Sequence, residues 1–575
     1  MLRRFLPLAL LLTACAAFAG TVTGHVFRDI NDDGRWQADE PVVRGVLVSD
    51  GMSFTTSGTD GSYRLETPDG DQVVFIENPP GLWPSNGFYR NVKVGPAVAD
   101  FPLRRQEQKL PFYFVQGTDL HIRPEIAPQM AQYVQALNSL PVPLAFVVHT
   151  GDLVVDTMGQ NIEGARKLFT AYQQMVAPLK APLLNLPGNH EHAAVNRTDV
   201  PPNTPGYGKG LYREMFGPTY YAFNYAGVHF LALDGSDVQN GKLSYTLPQP
   251  CLDWLKGYLE HVDRSEPLVL LTHEPLAPTA EKARIEPLLA GRKVLLTLSG
   301  HWHTIARYTL AGAPEIIGGM TSYPWHGGPF GPNPVGYHLV KITGEGFEDA
   351  FGDWAQQYPV TVSAPARAAL LTDPVKVDIQ FLDLANEVTI AEVTLGSAKQ
   401  TFQQFGTKGL YRTLSCQLAI PGLPDGFHDL AVTLHGKGEP TVEKQAFLSL
   451  GGPAEAFVPA GPVTLRFKAH GVNADDTIKL NGEEIGKLSA AAGAEQSVNL
   501  VLPAGNLRKL NVLELVSAPL ADGSGCDDFS ADYADVQYQG KTYRDYRLYA
   551  GTVQVQKSPT PASATLYFDL TRPDL

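Results

Sequence analysis

The sequence predicts a multidomain chain in which one central α/β domain is flanked by all-β modules, a β-sandwich before it and two after it. Three observations predict this. The 575 residues exceed what a single core supports and suggest three or four domains. Both ends alternate apolar and polar positions between Gly- and Asp-rich turns, whereas the middle alternates strand-like runs with helix-like stretches. Gly 55 and Pro 45 are plentiful, as many short strands joined by tight turns require.

Residues 1–19 read as a targeting segment: Arg3 and Arg4, an apolar run from Phe5 to Leu12, and Ala17-Phe18-Ala19 as a small-residue cleavage site. The run is too short for a permanent membrane anchor. Leu12-Thr13-Ala14-Cys15 also resembles a lipoprotein box. Cleavage after Ala19 is favoured, because Cys15 lies very close to the first predicted strand. Either route exports the chain, to the periplasm or beyond, and no later segment reads as transmembrane.

Residues 20–106 form the first sandwich, with Val46-Leu47-Val48 and Thr59-Asp60-Gly61-Ser62-Tyr63 as strand-and-turn units. They resemble prealbumin-like and Cna-B-like modules. Residues 107–353 form the α/β domain. Its strands are predicted at Phe112–Gln116, Leu144–Val148, Leu183–Leu186, Leu268–Leu271 and Val294–Leu298, and one helix at Ile162–Met175 with Ala165, Leu168, Phe169 and Tyr172 on a single face. Residues 354–452, with Val377–Phe381 and Phe427–Val432, read as a sandwich of Ig or fibronectin type. Residues 453–575 carry Asn481-Gly482 as a tight hairpin turn. With Val498–Leu502, Val512–Val516 and Tyr546–Tyr549, they resemble a jelly roll of the galactose-binding type.

Charged residues make up 18% of the chain and the formal charge is −14, which disfavours nucleic acid and anionic membrane as partners. Beyond Cys15 there are Cys251, Cys416 and Cys526, too few for a disulfide framework. Cys251 and Cys416 occupy apolar positions of a helix and a strand. A Cys416–Cys526 bridge stays open in an oxidising compartment.

The chemistry concentrates in five clusters of the central domain: Asp119-Leu120-His121, Gly151-Asp152, Gly188-Asn189-His190-Glu191, His273 in Thr-His-Glu, and Gly300-His301-Trp302-His303. Each follows a β-rich run, so each is expected on the loop leaving a strand's carboxyl end, where α/β sheets place their chemistry. One cluster alone is a polar turn. The ordered set, rich in Asp, His and Asn and free of Cys, reads as a two-metal hydrolytic site.

The pattern D-x-H, G-D, G-N-H-[DE], H and G-H-x-H resembles the calcineurin-like metallophosphoesterase superfamily, and Tyr220–Tyr225 with Gly227–Phe230 is similar to that family's central hairpin. The resemblance implies a two-sheet β-sandwich flanked by helices and a dinuclear centre. It implies Asp119, His121, Asp152 and His303 on one metal and Asp152, Asn189, His273 and His301 on the other, with a bridging hydroxide attacking phosphorus. It also implies that His190 binds no metal but protonates the leaving oxygen or stabilises the transition state; Glu191 orients or charge-supports the site. Purple acid phosphatases of the superfamily carry a Tyr three residues after the Gly-Asp aspartate and lack the first His. Here Val155 and His121 stand in those places, so two divalent ions from Mn, Fe, Zn or Ni are expected instead of an iron–tyrosinate centre.

Two loops are expected to shape the substrate pocket, through His192 and Arg197 in one and Tyr323, Trp325 and His326 in the other. His149 and His229 fit strand patterns and read as structural. A separate feature lies in the first sandwich: Asp29, Asn31, Asp33, Gly34 and Glu40 have the spacing of a Ca²⁺ loop, against which stands the ordinary use of Asp, Asn and Gly in turns. The expected function is an exported metal-dependent phosphoesterase acting on a phosphorylated small molecule or cell-envelope glycoconjugate. Two alternatives stay open: a phosphodiesterase or pyrophosphatase, and a cell-envelope adhesion or carbohydrate-binding protein with a non-catalytic central scaffold.

Overall fold

The structure, a computed structural model, describes residues 18–68, 72–93, 96–239, 241–322, 335–452, 455–490, 495–548 and 553–573. Its centre is built on two facing sheets. In the first, Leu183–Leu186, Leu144–Thr150 and Phe112–Gly117 run parallel, and the hairpin Tyr337–Ile342/Phe347–Gly352 adds antiparallel to Phe112–Gly117. In the second, Val228–Ala232, Pro267–Leu271, Lys293–Ser299 and Ala313–Ile317 are parallel, with Tyr221–Tyr225 and Ala306–Leu310 antiparallel at the edges. Phe114, Phe146, Phe223 and Phe230 fill the space between the sheets. Strands buried on both faces need apolar side chains at nearly every position, which is why these segments read as continuous runs.

Helices cover the outer faces. Ile162–Val176 starts at Asn161, whose side chain accepts from Gly164 N, and buries Ala165, Phe169 and Tyr172 against the first sheet. Gln249–Leu259 buries Cys251, Trp254 and Leu255 against the second. The hairpin Tyr221–Tyr225/Val228–Ala232 turns through Ala226 (φ 52°) and Gly227 (φ 82°), a two-residue turn whose twist matches that of the strands.

Among the described residues the flanking segments are built of β-strands, with a short 3-10 turn at Ala504–Asn506. Before the centre, one sheet orders Ser62–Pro68, Phe18–Arg28, Phe101–Arg105 and Leu82–Pro84, and another orders Phe54–Thr56, Leu47–Ser49, Gln72–Ile76 and Tyr89–Val92. After it, two antiparallel sheets enclose Val377, Phe381, Val393 and Val432, and two more enclose Leu465, Ile478, Leu515 and Phe568. Asn481 (φ 51°) and Gly482 (φ 90°) form the hairpin turn between Thr477–Leu480 and Glu483–Lys487. One expectation is corrected, and the bridge left open does not form. Residues 546–548 form a turn, not a strand, because Asp545 accepts from Arg547 N and its carbonyl from Leu548 N. Cys416 and Cys526 are both free and buried, in separate sandwiches.

The first sandwich is fused to the centre through its core. Trp83 packs on Phe146, Phe223 and Tyr225, and Asn78 Nδ2 donates to Asn224 O at 2.8 Å. A buried ion pair lies at the same interface: His229 Nδ1 is 2.6 Å from Glu77 Oε1, Tyr258 OH donates to that oxygen at 2.7 Å, and His229 Nε2 is 3.4 Å from Glu266 Oε2. Burial opposes the imidazolium, but Glu77 and Glu266 outweigh it and raise the His229 pKa above 6.5. A raised folded pKa contributes stability that is complete below the unfolded value and is lost as pH rises through the folded value. His229→Gln is therefore expected to lower the melting temperature below about pH 6.5 and to lose that deficit progressively above it. Thermal melts of both proteins across pH 6–9 check this; a deficit that is the same at every pH contradicts it.

Candidate metal centre

All five clusters sit on loops that leave parallel strands of the two sheets at one edge of the sandwich. Asp119 follows Phe112–Gly117, Asp152 follows Leu144–Thr150, Asn189 follows Leu183–Leu186, His273 follows Pro267–Leu271, and His301 and His303 follow Lys293–Ser299. The loops are tight. Asp119, His121, Asp152, His301 and His303 all adopt positive φ, between 45° and 68°, a region that side chains other than Gly rarely occupy. Such strain persists only where the surroundings over-determine it. The glycines of the motifs allow the loops to touch. A Cβ on Gly188 would lie 2.3 Å from Asp152 Oδ1, and one on Gly300 would lie 1.9 Å from Thr118 Oγ1.

The donors fall into two groups that share Asp152. Asp119, His121, Asp152 and His303 bring one donor atom each within 4.8 Å of one another, and so do Asp152, His273 and His301. Within them His303 Nε2 is 3.2 Å from Asp119 Oδ1, His121 Nε2 is 3.0 Å from His303 Nε2, and His273 Nε2 is 3.2 Å from Asp152 Oδ1. Asn189 is 4% exposed, and its Oδ1 is buried with no hydrogen-bond partner.

The hydrogen bonds around the donors decide which atoms they present. His273 Nδ1–H donates to Thr150 O at 2.8 Å; burial opposes the imidazolium, but Asp152 and Asp119 outweigh it and raise the His273 pKa well above 6.5, so Nε2–H faces Asp152 and a cation bound there would take the place of that proton. An imidazole nitrogen and a shared carboxylate at that distance, beside the unpartnered Asn189 amide oxygen, suit cations with mixed O/N ligands. Burial pushes His121 down to about 3 and His301 down to about 4, so both are neutral imidazoles able to donate lone pairs. Burial works against ionising Asp119 and Asp152, but His273 and neighbouring imidazoles hold both carboxyls below the usual range. The residues present fit a pair of divalent cations.

Glu191 has a role that its position in the motif did not reveal. Fully buried, its Oε2 accepts from Asp152 N (3.0 Å) and Gly188 N (2.7 Å), and its Oε1 from Leu153 N (2.9 Å) and Val154 N (3.3 Å). One carboxyl group thus ties the Gly-Asp loop to the Gly-Asn-His-Glu loop through backbone donors, while burial and the neighbouring Asp152 charge outweigh those donors and push its pKa up to about 7. His190 lies at the mouth, its side chain 17% exposed. Its Nδ1–H donates to Val155 O at 2.5 Å, and its Nε2 is 3.7 Å from Asp152 Oδ2.

The remaining candidates are placed differently. His192 is 2% exposed and donates from Nδ1 to Asn189 O at 3.1 Å, so it braces the Asn189 turn and does not line an open pocket. Arg197 forms a two-point pair with Asp199 and also donates to Gly159 O. Tyr323, Trp325 and His326 lie outside the described residues. Asp29, Asn31, Asp33 and Glu40 occupy a separate loop of the first sandwich, where the three carboxylates do not converge within 4.8 Å. His149 is held between Tyr172 OH (2.7 Å) and Tyr133 OH (3.0 Å), and burial keeps it neutral.

Two residues that the motifs do not include stand beside the centre. Glu274, next to His273, is 5% exposed with neither carboxylate oxygen hydrogen-bonded, and burial pushes its pKa up to about 7. Tyr245, 55% exposed, sets its ring 4.9 Å from that of His301. The Glu in Thr-His-Glu was the only visible signal for the first; Tyr245 lies in a short hairpin region with none.

The family model described as calcineurin-like phosphoesterase matches residues 112–304. No curated protein matches the chain. Among solved structures, GAP50, the anchor in the inner membrane complex of Plasmodium, is 14% identical, over 43% of this chain and 85% of that one, with a TM-score of 0.32. A purple acid phosphatase, PPD1, from yellow lupin (Lupinus luteus) seeds is 15% identical over 54% of this chain and 64% of its own, with a TM-score of 0.31. The phosphopantetheinyl hydrolase of Mycobacterium tuberculosis is 15% identical over 36% and 90%, with a TM-score of 0.24.

Proposed function

Residues 112–304 belong to the calcineurin-like phosphoesterase family, and from that premise we propose that the chain is an exported phosphoesterase whose turnover depends on two divalent cations. The observation that carries the reading is the division of the strand-end donors into two groups joined by Asp152. Asp119, His121, Asp152 and His303 would hold one cation; Asp152, Asn189, His273 and His301 would hold the other. When bound, the cations supply Lewis acidity towards the phosphoryl oxygens and, from water, a nucleophile at neutral pH.

The chain's own groups do the rest. Thr150 O and the backbone donors on Glu191 fix the ligand rings and loops before substrate arrives, so little reorganisation is left to the reaction. His190, anchored through Nδ1 on Val155 O, presents Nε2 at the mouth; as imidazolium it donates that proton to the leaving oxygen. Tyr245 offers an exposed ring on which a sugar or base stacks. A phosphorylated small molecule or cell-envelope glycoconjugate suits these walls. The β-sandwiches around the centre would then be accessory modules of prealbumin or Cna-B, Ig and jelly-roll kinds.

The test is a panel of phosphomonoesters, phosphodiesters and pyrophosphates with the purified chain. At least one class is expected to be hydrolysed, with loss of activity on chelation and recovery on adding Mn²⁺ or Zn²⁺. Two bound cations with no turnover of any ester would overturn the proposal in favour of a binding scaffold.

A further inference from the structure

We propose that the loop from Asp29 to Glu40 in the first sandwich is a Ca²⁺ site, with side-chain ligands from Asp29, Asn31, Asp33 and Glu40. The loop is separate from the dinuclear centre and from the phosphoesterase reading. Its residues stand at the first, third, fifth and twelfth positions of a twelve-residue Ca²⁺ loop, with Gly34 at the sixth, where the chain must turn sharply. Gly34 makes that turn at φ 71°.

The backbone is wound accordingly. Asp29 Oδ2 accepts from Gly34 N at 3.0 Å, Asn31 Oδ1 from Asp33 N at 3.1 Å, and Asp33 Oδ1 from Arg35 N at 2.8 Å. Glu40 closes the loop, accepting from Ile30 N at 3.1 Å and Gln37 N at 3.2 Å. Asx turns alone produce some of these bonds.

The independent observation is the state of Asp29. Its side chain turns into the loop towards Gly34 and is 6% exposed, yet its second oxygen, Oδ1, is buried with no hydrogen-bond partner. Glu40, 4% exposed, faces the same loop backbone. A buried carboxylate oxygen without a donor is unfavourable unless a cation meets it. The donors are all oxygen, with no His or Cys in the loop: this is the chemistry of Ca²⁺, not of Zn²⁺. Asp33 is at present drawn aside by Gln37 Nε2 (2.6 Å) and Asn31 Nδ2 (3.1 Å). Binding requires the Asp33 carboxylate to leave these partners and converge with Asp29 and Glu40.

The position gives the ion a structural task. The loop joins the end of the Phe18–Arg28 strand to Val42, which bridges back to Phe27, while Asp29 N donates to Leu103 O. A cation there would pin three segments of the module whose core is continuous with that of the central domain.

Trp36 lies inside the loop, its ring 4.7 Å from His25 and 5.4 Å from Phe27, and supplies a reporter. Tb³⁺ added to the full chain, with the histidine-rich centre first filled with Zn²⁺, is expected to luminesce on indole excitation. Trp36→Phe should abolish this emission, and Ca²⁺ should displace it where equal Mg²⁺ does not. Asp29→Asn and Glu40→Gln should each weaken Ca²⁺ binding at least about tenfold, with an unchanged circular dichroism spectrum as proof of folding. Emission that survives Trp36→Phe, or unchanged Ca²⁺ affinity in both variants, overturns the proposal. Should either variant fail to fold, equilibrium dialysis of the wild-type chain decides: about one Ca²⁺ per loop supports the site, and none refutes it.

Discussion

Replacing Asp152 with Ala is expected to lower kcat/KM for an aryl phosphate on the order of ten-thousandfold and to release both cations together. Asp152 is the residue common to both donor groups, so its loss removes a ligand from each. Its Oδ1 also accepts from His190 N at 3.0 Å, and its own N–H is held by Glu191, so the substitution loosens the loop carrying His190 and Asn189. Asp152→Asn keeps the shape and the oxygen but not the charge, and should retain more metal than Ala without regaining turnover. Metal analysis alongside rates, with circular dichroism to confirm folded β-domains, separates these outcomes. Wild-type turnover in Asp152→Ala would sink the mechanism.

Replacing His190 with Ala should act on a different quantity. Turnover is expected to fall by about 10²- to 10⁴-fold, with both cations kept and KM for the ester little changed. The His190 Nδ1 is spent on Val155 O, its Nε2 lies 3.7 Å from Asp152 Oδ2, and its side chain, 17% exposed, lies at the solvent edge of the cluster. The loss should be smallest for esters with acidic leaving groups, which need no proton. A uniform loss across leaving groups, or loss of a cation, would contradict the proton-donor role.

The strand-end positions of the donor motifs were legible because each motif directly follows an apolar β run, and a run buried on both faces is conspicuous in sequence. The facing of two sheets came from the family resemblance, since local pattern says nothing of which strands meet. Glu191 shows the limit within a motif: its neighbours mark it as part of the site, but four backbone donors from two segments cannot be read from one chain position. Glu77 and His229 are 152 residues apart, and Trp83 reaches Phe146 and Phe223 only after two domains dock. No periodicity announces such pairs. Residues 546–548 were misread for the opposite reason: aromatic residues that favour strands yield there to the local Asp545 turn.

The central claim is that hydrolysis needs two cations sharing Asp152. Metal-free protein titrated with Mn²⁺, with bound metal and rate of ester hydrolysis followed together, tests it most directly. The account predicts activity that reaches its plateau only at two equivalents per chain. Full activity at one equivalent, or equal activity with none, would contradict it.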